Sequence, residues 1–116
     1  MCHVLIIEDE ILVALHIQDV VKENGATSVS IATTEAEAVT AASARAPALI
    51  TSDVSLKTGS GPVAVRAIQA RHGSIPVIFI TATPDACRSA LPNVRVFGKP
   101  VDEAAIARAV RQLLAA

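Results

Sequence analysis

Apolar residues fall in five short runs along the chain, and the segments between the runs carry helical spacing or turn chemistry. Residues 3–7 are apolar from Val4 onward without alternation, which predicts a strand covered on both faces. Glu8-Asp9-Glu10 end that run and open a helix expected over residues 10–24, with Gly25 as its left-handed C-cap. Acids in a first helical turn complement the helix dipole, which is the plain structural reason for such a trio. Val29 and Ile31 alternate with Ser28 and Ser30, so a second strand with one better-covered face follows. Thr34-Glu35-Ala36-Glu37 has the form of a capping box, predicting a helix over 35–44 whose Ala-rich body packs closely. Pro47 stops it, residues 48–52 form a third apolar run, and 54–61 are a loop rich in Ser and Gly.

Pro62 suits a first helical position, and Val63, Ala64, Val65 and Ile68 carry a helix towards Arg71, closed by Gly73. The strongest strand signal is 75–81, with Pro76 near its start, where a missing N–H is tolerated. Thr83-Pro84-Asp85 predicts a turn into a short helix at 86–90, which Pro92 ends. Residues 94–97 read as a fifth strand, and Asp102 caps a last helix with Ile106, Val110, Leu113 and Leu114 at helical spacing. Strand and helix thus alternate five times, which predicts an α/β domain: a parallel sheet, helices on both faces and right-handed crossovers. In such open sheets the site lies beyond the carboxyl ends of the strands. Glu8, Asp9, Asp53, Thr81 and Lys99 all fall just past strand ends on that edge.

Composition narrows the picture. At 116 residues with 52% apolar content, the chain is expected to be a single domain over 1–116. Two Phe and no Tyr or Trp leave the core to Ala, Val, Leu and Ile. A formal charge of -1 gives no case for nucleic-acid binding. Cys2 and Cys87 lie far apart without zinc-site spacing, so two free thiols in a reducing compartment are expected. No signal-peptide pattern opens the chain and no apolar run spans a membrane, which points to a soluble cytoplasmic protein.

The chemistry gathers at Asp53, a carboxylate at the tip of the run Leu49-Ile50-Thr51-Ser52. Placed beside Glu8 and Asp9, it makes a cluster whose mutual repulsion raises carboxylate pKa values. A hard divalent cation such as Mg²⁺ resolves that repulsion through oxygen ligands. Lys99 supplies an ammonium for Asp53 and for a phosphoryl oxygen, and Thr81 a hydroxyl for the same group. Asp53 is then a carboxylate nucleophile for phosphoryl transfer.

With these residues in this order the sequence resembles, over nearly its whole length, the receiver domain of two-component response regulators. The resemblance rests on Glu8-Asp9 after Val4 to Ile7, Asp53, Gly61 eight residues later, Thr81-Ala82 and Lys99-Pro100. It implies a flavodoxin-like fold, a (βα)5 three-layer sandwich with a sheet of order 2-1-3-4-5. It implies Asp53 as phosphoacceptor, Glu8, Asp9, Asp53 and the Ser55 backbone carbonyl as Mg²⁺ ligands, and Thr81 and Lys99 as phosphoryl contacts. A cis bond at Lys99-Pro100 is also implied. The partners implied are a sensor histidine kinase or a histidine phosphotransferase, and an unidentified downstream protein. The only catalysis implied is the domain's own aspartyl phosphorylation and dephosphorylation.

Three departures from the family pattern stand out. Glu8 replaces the commoner Asp, and Lys57 stands where many relatives have Pro. The usual switch aromatic is Val96 here, and Phe97 cannot stand in because successive strand side chains point to opposite faces. The stretch from Thr81 to Lys99 is also about one helical turn shorter than in many receivers, which alters the face made by the fourth helix, fifth strand and last helix. That shortening and the run Pro76-Val77-Ile78-Phe79-Ile80-Thr81-Ala82 resemble the receivers of alphaproteobacterial general stress response regulators. Those carry a sigma-factor-like domain ahead of the receiver, so this sequence fits either a stand-alone receiver or an excised piece.

Two other readings stay open. A phosphate sink fits Val96 and the expected lack of an output domain, whereas a phosphate-independent interaction module runs against the presence of all the chemical residues. A haloacid-dehalogenase-type phosphatase also uses a strand-end Asp, but wants a second acid two residues on, where Ser55 stands.

Overall fold

The computed structural model describes residues 2–82 and 93–115. Within them run β1 (His3–Ile7), α1 (Ile11–Glu23), β2 (Ser28–Ala32), α2 (Glu35–Ala44), β3 (Leu49–Ser52), α3 (Gly61–His72), β4 (Val77–Thr81), β5 (Val94–Gly98) and α4 (Glu103–Ala115). The helix expected at 86–90, its flanking Thr83-Pro84-Asp85 and Pro92, and Cys87 lie outside the described residues. All strand pairings are parallel, and the sheet order is β2-β1-β3-β4-β5, the flavodoxin-like order of a receiver. No helix among the described residues is long and apolar enough to cross a membrane.

Strand alternation divides the interior into two cores, because successive side chains leave opposite faces of the sheet. Leu5, Ile7, Ile50, Val77 and Phe79 pack against Ala38 and Ala42 of α2 and Ala64, Val65 and Ile68 of α3. Val4, Ile6, Leu49, Ile78 and Ile80 pack against Ala14, Ile17, Val20 and Val21 of α1 and Ile106, Ala109 and Val110 of α4. The near-continuous apolar runs of β1, β3 and β4 follow from this: each strand is buried on both sides. With so few aromatics, the buried Ala positions let the helices lie close to the sheet; Phe79 is the largest fully buried side chain.

Local chemistry sets most of the element ends. The Thr34 hydroxyl accepts the Glu37 N–H at 3.1 Å, while Glu37 turns its carboxylate to the Thr33 N–H at 2.8 Å rather than to Thr34. Gly25, with φ +121°, lets the chain reverse after α1, and the Ala26 N–H reaches back to the Val21 carbonyl at 3.0 Å. Ser60 caps α3 with its side chain, so Gly61 takes the first helical position and Pro62 the second. β4 starts at Val77 and not at Ile75: Pro76 has no N–H, and the Ile75 N–H turns back to the Gly73 carbonyl at 2.8 Å. The acids expected in the first turn of α1 lie ahead of it instead, and that turn contains none.

Thr51 faces the α1/α4 core in register with Ile6 and Ile78, and its fully buried hydroxyl has no hydrogen-bond partner among the described residues. A desolvated hydroxyl without a partner is a penalty that an isosteric methyl removes. Thr51→Val is therefore expected to raise stability by about 1 kcal/mol. Urea unfolding checks this: the midpoint should rise at unchanged slope.

Candidate functional site

Four strands end at one edge of the sheet, and each delivers one polar residue there. The Asp53 N–H donates to the Ile7 carbonyl at 2.9 Å, and the Lys99 N–H donates to the Thr81 carbonyl at 2.8 Å. The Glu8 N–H donates to the Ala32 carbonyl at 2.9 Å. The ladder thus runs one residue past the strands and fixes the backbone that carries each functional side chain. Lys99 is the centre of the group: its Nζ lies 3.2 Å from Glu8 Oε1 and 3.3 Å from Asp53 Oδ2. The Lys99-Pro100 peptide bond is cis, as expected. Asp53 Oδ1 accepts the Val54 N–H at 2.7 Å, so both carboxylate oxygens are engaged.

Glu8 is the most enclosed member, with 1% of its side chain exposed. Burial pushes its carboxyl above the usual value and the Asp53 charge adds to this, while the Glu10 N–H and Lys99 pull the other way without cancelling it. For Lys99, burial alone lowers the pKa, but its hydrogen bonds and charge attraction to Glu8 and Asp53 outweigh that, and the net shift is upward. Among the described residues, one ammonium is thus shared between two carboxylates at this edge.

Asp9 and Glu10 extend the acidic group outward. The carboxylate oxygens of Glu8, Asp9 and Glu10 lie within 4.8 Å of one another, a set of hard oxygen donors suited to a divalent cation. Asp53, expected among the metal-binding acids, is not in this set; it is tied to Glu8 by the ammonium of Lys99. Glu10 was not legible as a member, because its position after the strand reads equally well as a helix start. The loop after Asp53 folds over the group. Asp9 Oδ2 accepts the Lys57 N–H at 2.6 Å, Ser55 bridges to Ser60, and the Gly61 N–H donates to the Val54 carbonyl at 3.0 Å. Lys57 thus contributes its backbone N–H, which a Pro at that position lacks. Glu35, opening α2, also reaches this loop: its carboxylate accepts the Ser60 N–H at 3.0 Å.

Thr81 is buried at the end of β4, in register with Gly98. Val96 is half-buried and packs on the α2/α3 core beside Phe79, while Phe97 packs on the opposite core beside Ile80. The two side chains lie on opposite faces of β5, as strand alternation requires, so no aromatic occupies the place of Val96.

The sequence model of the response regulator receiver domain matches residues 4–111. The chain is 39% identical over 83 residues to the phyllosphere-induced regulator PhyR of Methylorubrum extorquens, covering 71% of this chain and 31% of that protein. Its fold matches the solution structure of the Erythrobacter litoralis PhyR receiver domain with a TM-score of 0.84 and 32% identity, over 97% of this chain and 89% of that one. The anti-anti-sigma factor PhyR of Bartonella quintana matches with a TM-score of 0.82 and 35% identity, over 98% of this chain but 48% of that one. The chain therefore spans about a third of the curated relative and half of the longer solved one. With the matched residues running from β1 into α4, the chain belongs to the response regulator receiver domain family.

Proposed function

We propose that this domain takes a phosphoryl group onto Asp53 from a histidine kinase or histidine phosphotransferase, in a Mg²⁺-dependent reaction, and thereby changes its contact with a downstream protein. The observation that carries the reading is Lys99 Nζ held between Asp53 Oδ2 and the buried Glu8 at 3.3 and 3.2 Å. In the transfer an Asp53 oxygen bonds to phosphorus while the bond from phosphorus to the donor's nitrogen breaks, its electron pair leaving with that nitrogen. Lys99 is placed to follow the growing negative charge from carboxylate to phosphoryl oxygen, and Thr81 lies at the adjoining strand end. Glu8, Asp9, Asp53 and the Ser55 carbonyl are the residues assigned to hold Mg²⁺, with Glu10 beside them. When bound, the ion neutralises charge on the phosphoryl oxygens.

The rim favours a protein donor. Ile11, Leu12 and Leu15 are exposed in the first turns of α1, Leu12 at 80%, and Val63 is exposed in the first turn of α3. The three α1 residues lie within one helical turn of each other beside Glu8 to Glu10, apolar surface of the kind a docking helix would cover, while Val63 lies on the other side of the sheet. The likeness to an anti-anti-sigma factor supports an output through an anti-sigma factor.

Incubation with Mg²⁺ and acetyl phosphate is expected to give one acid-stable, base-labile phosphoryl adduct by intact mass, absent from Asp53→Asn. An adduct that persists in Asp53→Asn, or none in the wild type, sinks the reading. Val96 in place of an aromatic favours one second reading, a phosphate sink. A switch shows partner binding that differs between the phosphorylated protein and Asp53→Asn; a sink takes phosphate from the donor and binds every candidate alike.

A further inference from the structure

The loop over Asp53 has little internal support. Residues 53–61 hold one isolated bridge, Ser55 to Ser60, and their shape depends on what the rest of the fold grips. One grip is Asp9 on the Lys57 N–H. The second is the first turn of α2, where three contacts converge on one residue. The Glu35 N–H donates to the Thr58 carbonyl at 3.2 Å, and the Glu35 carboxylate accepts the Ser60 N–H at 3.0 Å. Between them Gly59, at φ +91°, lies so close that a Cβ there would sit 2.5 Å from Glu35 Cβ. Ser60 in turn caps α3, and the next residue, Gly61, abuts the Asp53 carbonyl.

We propose that Glu35 is a positioning residue for phosphoryl uptake: it clamps residues 58–60 and so sets, through Ser60 and Gly61, the placement of the Asp53 backbone and of the loop that frames it. The proposal rests on Asp53 as phosphoacceptor. Glu35 does not touch the reacting atoms; it acts through the loop. Its neighbour Glu37 offers the natural comparison, because that carboxylate accepts from the Thr33 N–H and hydroxyl at 2.8 and 2.9 Å and supports the same helix turn without a hydrogen bond to residues 58–60.

The test uses the full chain as wild type, Glu35→Ala, Glu35→Gln and Glu37→Ala. Two quantities are read on each: hydrogen exchange of the Ser60 amide, and the rate of phosphoryl uptake from acetyl phosphate with Mg²⁺. Glu35→Ala is expected to speed Ser60 exchange about tenfold, the scale of one hydrogen bond at a half-exposed site. It is expected to slow the maximal uptake rate about three- to tenfold, as misplacement of a reacting group does. Glu35→Gln keeps an acceptor oxygen and restores both, and Glu37→Ala loses stability but leaves both near wild type. Unchanged Ser60 exchange in Glu35→Ala overturns the clamp, and faster exchange with unchanged uptake overturns its role in positioning. Equal slowing in Glu37→Ala reduces the effect to general stability and also overturns it. A wild type that takes up no phosphoryl group, with Ser60 exchange still dependent on Glu35, overturns both the role and the reading of Asp53 while leaving the clamp itself in place.

Discussion

Gly61→Ala is expected to destabilise the domain by about 4 kcal/mol, above the usual range for an overpacked site. A Cβ added at Gly61 would lie 1.8 Å from the Asp53 carbonyl oxygen, 2.5 Å from Ser52 Oγ and 3.0 Å from the Asp53 carbonyl carbon, where ordinary contacts lie at 3.4–4 Å. Two of these atoms are backbone, so they cannot turn aside as the end of a flexible side chain can. The Ser52 hydroxyl donates to that same Asp53 carbonyl at 2.7 Å, and the Gly61 N–H donates to the Val54 carbonyl at 3.0 Å, so moving either side of the clash breaks a hydrogen bond. The loss of unfolded-chain freedom on Gly→Ala, a gain of about 0.4–1 kcal/mol, is too small to offset this. Gly73→Ala separates the two effects: apart from its chain neighbours, no atom among the described residues lies within 4 Å of its Cβ, and only the backbone, at φ 87° and ψ -167°, opposes the side chain. It is expected to cost about 2 kcal/mol. Urea unfolding of both variants measures the difference, and a Gly61→Ala loss no larger than that of Gly73→Ala would refute the close approach. Any Gly61→Ala protein that folds has a displaced Asp53 peptide, so its phosphoryl uptake should also fall.

Gly61 shows where reading the chain alone stops. Its presence eight residues after Asp53 was visible, but a contact between a glycine and a carbonyl oxygen exists only once β3 and α3 are placed. Strands β1 and β4 were legible because burial on both faces leaves near-continuous apolar runs, β3 because Leu49 and Ile50 follow Pro47 and lead into Asp53, and α2 because its capping residues act within four positions. The lysine and acid positions were legible because each follows a strand end. The start of α1 was legible to within one residue, with Glu10 as its N-cap. The dipole reading of the acidic trio falls because Glu8 turns inward to Lys99, 91 residues away, and the first turn holds no acid. Glu35 escaped notice likewise: an acid after an N-cap reads as helix-dipole compensation, and its bond to Ser60 spans 25 residues. The unpartnered Thr51 hydroxyl has no signature, because a Thr inside a strand run reads alike whether or not its hydroxyl finds a partner.

Lys99→Met is expected to cost about 2–3 kcal/mol near pH 8, because it removes the ammonium shared by Glu8 and Asp53 and leaves a buried carboxylate unpaired. The cost stays below the upper range for a broken buried pair because Lys99 is 20% exposed and Glu8 can take up a proton. The pH dependence distinguishes this from lost packing. Burial already holds Glu8 above its ordinary value, and removing Lys99 removes two of the influences that pull it down, so its pKa rises further. A carboxyl raised in the folded state binds its proton more tightly there than in the unfolded chain, and stability then falls as pH rises through the folded value. The deficit of Lys99→Met against wild type is therefore small below the ordinary Glu value of 4.5 and grows through the mildly acidic range to a plateau. At the alkaline end the sign reverses for the wild type alone. The raised Lys99 contributes stability that is fully present below 10.5 and lost as pH climbs through its folded value, so the gap between the two proteins closes again. Unfolding free energies across this range should trace that plateau, whereas a deficit independent of pH would assign Lys99 a packing role and remove the charge argument on which its place beside Asp53 rests.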